Sequence, residues 1–268
     1  MKMFCITINQ EHYKKIKKIG YLPVCLGKKK LDYNFFSDNN GDSISEKNPF
    51  YGEYTFHYWI WKNEIQNLED NWIGFCQYRK YWIDKKAHKN INDLTNLNEV
   101  VLKEIPSKLL SYESILGEPI FINQFKPLKF LKKNFTQMIK KPSLFFNKDE
   151  RNIRFHFDLM HGKGNLDKAI EYLDIKDRDD FRKFVNTEVS FNPHNMFICR
   201  STKILSSYYS SVFPWLKKCE KEFGFNLNGY GLKRIYGFLA ERYMSFWFRK
   251  YTNFTTLPII FKDISELN

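Results

Sequence analysis

The run Trp72-Ile73-Gly74-Phe75-Cys76 is apolar without interruption, follows Asn71 and leads at once into Gln77-Tyr78-Arg79-Lys80-Tyr81-Trp82. A run that short and that apolar suits a strand buried on both faces, and such a strand needs other elements packed against it. Met3–Ile8 and Tyr21–Leu26 read as further short apolar strands, the second closed by Gly27 and Lys28-Lys29-Lys30. Pro119–Ile122 and Met196–Cys199 are strand candidates, and Leu257–Phe261 is a last apolar piece. Between them lie helical patterns: an aromatic stretch from Tyr54 to Trp61, Leu128–Lys140, Leu166–Leu173, and two long closing helices over about Thr202–Lys221, kinked at Pro214, and Leu232–Lys250. Short apolar strands alternating with amphipathic helices specify an α/β fold with a mainly parallel sheet flanked by helices. No linker is evident, so 1–268 reads as one domain, with a variable, largely helical middle region over about 84–190.

Local signals refine this outline. Asp32 to Asn48 is rich in Asn, Asp, Ser and Gly and reads as a loop, and Asp84–Asn98 reads as a polar surface loop. Ser45 or Asn48 can cap the aromatic helix, Pro49 suits its first turn, and Glu53 stands where the helix dipole favours an acid. That helix reads as core more than as a binding platform.

Composition narrows the class of protein. Hydrophobic residues make up 43% and aromatics 18%, which excludes intrinsic disorder. No apolar run reaches the ~18–20 residues that cross a bilayer, and Met1–Ile8 is no signal peptide, so a soluble cytoplasmic protein is expected. Cys5, Cys25, Cys76, Cys199 and Cys219 are widely spaced and mostly within apolar runs, which suits buried free thiols and argues against a zinc site. The net charge is +13, but the 43 basic residues divide into 34 Lys and 9 Arg. Anion readers that need bidentate geometry prefer Arg, so the lysine excess reads mainly as coding bias, and single arginines are more informative.

Nucleotide- and metal-binding signatures of the common kinds are missing. Asp177-Arg178-Asp179 matches the Asp-x-Asp tripeptide that holds a metal in many sugar-nucleotide transferases. It falls between two helical patterns rather than after a buried strand, so a helix start explains it better.

The most specific segments are Ile44-Ser45-Glu46-Lys47-Asn48-Pro49-Phe50-Tyr51-Gly52-Glu53-Tyr54-Thr55, Trp59-Ile60-Trp61-Lys62-Asn63 and Ile73-Gly74-Phe75-Cys76-Gln77-Tyr78-Arg79-Lys80-Tyr81. They resemble a bacterial capsular and exopolysaccharide glycosyltransferase family first catalogued as a domain of unknown function. The likeness continues at Tyr21–Gly27, at His161 with Leu166-Asp167, at Asn195–Ile198 and at Gly237–Arg242, in the family's order. It implies a GT-A-like, Rossmann-like fold. It also implies a nucleotide-sugar donor, of which UDP-galactofuranose is the expected example, and a capsular, O-antigen or exopolysaccharide acceptor. Transfer would invert the anomeric centre without a metal or other cofactor. The chain departs from the family pattern at Ser43, Gly52, Gln77 and Lys80 and around Asn9-Gln10, positions that cluster near the expected donor pocket.

The residues themselves fit that chemistry. Ligands of open α/β sheets bind beyond the carboxyl ends of strands. There Arg79, helped by Lys80, would neutralise a diphosphate, and Tyr78 or Tyr81 would pack on or hydrogen-bond to the donor. A surface cation beside core aromatics is the alternative. For the base that takes the acceptor proton, Glu241 comes first because Phe238-Leu239-Ala240 is apolar, with an ion pair to Arg242 or Arg234 as its competitor. Glu53 comes second and Asp167 third, each also explained by a helix start. Further donor-binding candidates are Thr7, Asn9, Lys47, Asn48, His161, Asn195 and Arg242, against turn, cap or surface roles for most of them.

Two other classes compete. A nucleic-acid module would cluster its basic residues, whereas here lysines are scattered, so no nucleic-acid partner is expected. A non-catalytic membrane-associated protein would use Arg242–Tyr251, where Phe246, Trp247 and Phe248 neighbour Arg249 and Lys250. The same patch would let an enzyme touch the inner membrane and reach a lipid-linked acceptor.

Overall fold

The computed structural model describes residues 1–27, 31–84, 91–124, 147–148 and 150–268. The lysine triplet at 28–30 and the expected helix Leu128–Lys140 lie outside the described residues. The strands are β1 (Lys2–Thr7), β2 (Leu22–Cys25), β3 (Phe36–Ser37), β4 (Ile73–Gln77), β5 (Lys80–Trp82), β6 (Ser114–Gly117), β7 (Ile120–Phe121), β8 (Ser190–Phe191), β9 (Phe197–Cys199), β10 (Phe254–Leu257) and β11 (Ile259–Phe261). Among the described residues the α-helices are α1 (Tyr13–Lys18), α2 (Asn48–Tyr51), α3 (Tyr54–Trp59), α4 (Leu94–Val100), α5 (Ile153–His161), α6 (Asn165–Glu171), α7 (Ile175–Thr187), α8 (Thr202–Phe223), α9 (Tyr230–Lys233) and α10 (Ile235–Tyr251).

The chain divides into two compact units, where the sequence reading takes a single domain. Unit 1 comprises Met1–Glu118, His194–Ser210 and Trp247–Asn268; unit 2 comprises Pro119–Pro193 and Ser211–Phe246.

Unit 1 carries a nine-stranded sheet with the order β10-β6-β9-β4-β1-β2-β3, and β5 joins β4 to β11. Along that order only the two pairings of β9 are antiparallel, so the sheet is mainly parallel, as the apolar runs predict. Its central strands are apolar on both faces because both are covered. On one face Phe4, Phe75 and Phe197 meet Phe56 and His57 of α3, with ring centroids 4.4–5.7 Å apart. On the other, Met3, Cys5, Cys76, Tyr81 and Trp82 pack with Ile16 of α1 and Leu94 and Leu97 of α4. At Gly74, where β1, β4 and β9 converge, a Cβ would lie 2.7 Å from the Met3 methyl group, so Met3 would have to move aside. All five cysteines are free and buried, as their apolar neighbours suggest.

Several boundaries differ from the sequence reading. The polar stretch Asp84–Asn98 contains the start of α4, because Asp93 caps it by accepting the Asn96 amide at 2.8 Å. The aromatic helix ends at Trp59 and continues as a π-turn over Ile60–Glu64, closed by Ile65 N–H donating to the Ile60 carbonyl. The expected last helix is broken into α9 and α10, and the last apolar piece is two strands, split at Pro258. Asp177 lies in the first turn of α7, whose cap is Asp174, so the Asp-x-Asp tripeptide is a helix start.

Unit 2 holds α5–α7 and the β7–β8 ribbon, and thus much of the region read as helical. Within it Phe181 packs on Trp215, Tyr243 and Phe246, and the Tyr243 hydroxyl donates to the buried Asp177 carboxylate at 2.8 Å. The lipid-facing reading of Phe246, Trp247 and Phe248 is corrected here. All three are buried. Among the described residues no helix is long and apolar enough to cross a membrane.

Candidate functional site

The parallel strands β1, β2 and β4 deliver their carboxyl ends to one edge of the unit 1 sheet. Because β9 runs the other way, its amino end reaches that same edge, which brings Asn195 alongside Gln77. The backbone there is unusual. His194 and Asn195 have φ of +77° and +53°, a left-handed conformation that costs non-glycine residues roughly 1–3 kcal/mol each. Asn tolerates this region best, and strain of this kind concentrates at functional sites.

The strained turn organises a carboxylate. Asn195 Nδ2 donates to Glu53 Oε1 at 2.9 Å, and Gln77 Nε2 donates to the same oxygen at 3.3 Å and to the His194 carbonyl at 3.0 Å. Lys80 Nζ donates to Gln77 Oε1 at 3.0 Å, which completes a chain from cation through amide to carboxylate. Gly52, at φ +60° and ψ −135°, makes the turn into Glu53 in a conformation that only glycine adopts readily. Asn48 fixes that turn by donating Nδ2 to the Gly52 carbonyl at 2.9 Å and to Thr55 Oγ1 at 3.2 Å. It therefore ties the turn through its amide donor instead of capping through its oxygen. Lys47 ends the preceding 3-10 turn, Ser45–Lys47, and is half-buried. His194 is held neutral, its pKa pushed down to about 3 by burial and by the Lys80 charge.

A second polar chain adjoins Tyr78 and Arg79. Ser265 Oγ donates to Asp263 Oδ1 at 2.6 Å, so His12 Nε2, 3.0 Å away, must donate to Ser265. His12 Nδ1 then accepts from Thr7 Oγ1 at 2.8 Å, which fixes the neutral tautomer, in keeping with a pKa lowered mainly by burial. The amides of Lys262 and Ile264 donate to the carbonyls of Arg79 and Tyr78, so the C-terminal segment straps the β4–β5 turn. Arg79 is exposed, its guanidinium 4.9 Å from the Tyr78 ring.

Thus Glu53, Lys80 and Asn195 come together as one network, with Asn48 bracing the turn into Glu53 and Tyr78 and Arg79 in the adjoining turn. Tyr81 is corrected to a core residue: it is buried, and its hydroxyl donates to the Tyr78 carbonyl at 2.6 Å. Thr7 is buried and engaged by His12, and Asn9 caps the turn after β1 by accepting the Glu11 amide at 3.0 Å. The remaining candidates belong to unit 2. Asp167 is in an exposed ion pair with Arg154 at 2.5 Å. Glu241 is ion-paired with the buried Arg242, whose guanidinium also lies 3.3 Å from His156 Nδ1 and 4.0 Å from the centre of the Phe191 ring. His161, a donor-binding candidate with a surface histidine as its alternative, is buried, stacks 4.0 Å from Phe238 and bonds the Gly231 carbonyl at 3.0 Å. Its pKa falls to about 2, chiefly through burial and then through Arg242.

His194 and the His12–Ser265–Asp263 chain escaped the sequence reading, whereas Gln77 stood out there as a departure from the family pattern near the expected donor pocket. The turn-forming run Asn192-Pro193-His194-Asn195 before a strand was a usable signal for the first, but His12 and Ser265 are 253 positions apart. Among the described residues no group of three or more His, Cys, Asp or Glu side chains is placed to hold a metal ion.

The sheet is an open, mainly parallel α/β sheet with a polar network at its carboxyl edge, the edge at which ligands of such folds bind. The chain matches the family described as domain of unknown function DUF4422 over residues 4–253, and it belongs to that family. It is similar to the apo structure of WbbM, a bifunctional glycosyltransferase, with a TM-score of 0.63 and 21% identity over 98% of this chain and 45% of that one. That likeness establishes a shared α/β fold, and the chain spans under half the length of WbbM. No curated protein matches the sequence.

Proposed function

We propose that the protein is a glycosyltransferase in which Glu53 is the general base and Arg79 and Lys80 neutralise the leaving diphosphate. The observation that carries this reading is the Glu53 carboxylate, clamped by the amides of Gln77 and Asn195 at the carboxyl edge of the sheet, with Lys80 linked to it through Gln77. A carboxylate held by two amides keeps a fixed direction, which a base must have, while Lys80 places positive charge beside it and Arg79 stands in the adjoining turn. Glu241 is the weaker choice, because its carboxylate already neutralises a buried guanidinium.

In the reaction, the acceptor hydroxyl oxygen bonds to the anomeric carbon on the face opposite the nucleotide. The bond from that carbon to the diphosphate oxygen breaks, and its electron pair leaves with the phosphate. The hydroxyl proton passes to Glu53. Charge growing on the phosphate is met by the cations of the chain, so the reading requires no metal ion. The DUF4422 match, the likeness to a glycosyltransferase structure and the motif resemblance support a nucleotide-sugar donor and a glycan acceptor. The resemblance further favours inversion, UDP-galactofuranose as donor and a surface polysaccharide, lipid-linked during assembly, as acceptor.

A thermal-shift screen with UDP, UDP-galactofuranose, UDP-galactopyranose and diphosphates of other bases tests the donor. Binding to the folded chain at 100 times Kd adds about 2.7 kcal/mol, so the Tm should rise by several degrees with a uridine nucleotide. A rise only with another base would move the donor assignment, and no rise with any nucleotide would overturn the reading.

A further inference from the structure

Phe261 closes β11 beside Lys80 of β5 and is 65% exposed, whereas most aromatic side chains of unit 1 are buried. An isolated exposed apolar residue needs no explanation, but this one is not isolated from function. The His194 ring stands perpendicular to it at 5.1 Å, and Lys80 Nζ lies 5.6 Å from its centre. Both neighbours touch Gln77, which holds Glu53. The left-handed turn at His194 is what presents that ring to Phe261 while its carbonyl takes Gln77. Backbone strain, a neutral imidazole, a cation and an exposed aromatic face thus meet beside one carboxylate.

We infer that Phe261 is the platform of an acceptor subsite, stacking the C–H face of a sugar ring while the His194 imidazole meets one of its hydroxyls. Aromatic rings with a few placed polar groups are the usual lining of such sites. The ring is the acceptor's because an activated donor sugar must be shielded from water, and a side chain two-thirds exposed cannot shield it. This inference rests on the glycosyltransferase reading above.

The test replaces Phe261 with 4-fluorophenylalanine and follows its fluorine resonance during titration with methyl β-galactofuranoside, methyl β-galactopyranoside, UDP and UDP-galactofuranose. A saturable shift with a methyl glycoside, absent with UDP alone, is the expected result. A shift with UDP-galactofuranose but with neither glycoside would assign the platform to the donor and overturn the inference, as would no shift with any of them. If UDP still raises the Tm while no glycoside moves the resonance, only this inference falls. If a glycoside shifts it but no nucleotide binds, the saccharide subsite stands and the donor reading falls. In transfer to the responding glycoside, Phe261→Ala should raise the acceptor KM about tenfold with the donor KM unchanged, and Phe261→Trp should restore it.

Discussion

At the scale of single residues, the site turns on Asn195, which does two jobs at once. Its backbone occupies the left-handed region at φ +53°, and its amide holds Glu53 at 2.9 Å. Substitution can separate the two. Asn195→Gly and Asn195→Ala both remove the amide, so both should lose most of the activity. Only Ala carries a Cβ into the left-handed region, so Asn195→Ala should be less stable than Asn195→Gly by about 1 kcal/mol. Denaturant melts of the two variants measure this directly, and an alanine variant as stable as the glycine variant would show that the turn is not strained. Residues of this kind were partly legible. Asn195 and Glu53 each stood out singly, but their partnership spans 142 positions and no local pattern encodes it.

At the scale of elements, legibility followed periodicity. β1 and β4 were readable because a strand covered on both faces shows as a short unbroken apolar run. α8 was readable from its length and amphipathic pattern, and Pro214 lies within it. β5 and β11 were not, because each is three residues long and their pairing joins positions about 180 apart in the chain. That pairing nonetheless decides the site, since it sets Phe261 opposite Lys80 and leads the C-terminal segment back over Tyr78 and Arg79. The aromatic run Phe246-Trp247-Phe248 shows the converse error. Its composition suits a lipid surface, yet burial of all three side chains makes it core. Composition alone cannot tell an inward-facing aromatic helix from an interfacial one.

At the scale of the whole molecule, folding holds several histidines neutral. His57 is fully buried, with its pKa pushed down to about 3 by burial, and His161 falls to about 2. In the unfolded chain both titrate near 6.5. Below that pH the unfolded state binds protons that the folded state refuses, so stability is complete above pH 6.5 and declines as pH falls toward 3. Each histidine contributes about 1.4 kcal/mol of loss per pH unit in that window, or roughly 2 kcal/mol by pH 5. Denaturant unfolding at pH 7.5, 6 and 5 should show this decline; a flat or rising profile would contradict the buried neutral histidines. The net charge of +13 takes on a narrower meaning at this scale, since the account gives a chemical role to Arg79 and Lys80 among 43 basic residues. The Glu53 network likewise exists only in the whole fold, which gathers Glu53, Gln77 and Asn195 from three distant segments. Its direct test is Glu53→Gln in the full chain, with the transfer rate and the donor affinity measured side by side. The account predicts a fall in transfer of about 10²–10⁴-fold with donor binding retained; near-normal transfer by Glu53→Gln would contradict it.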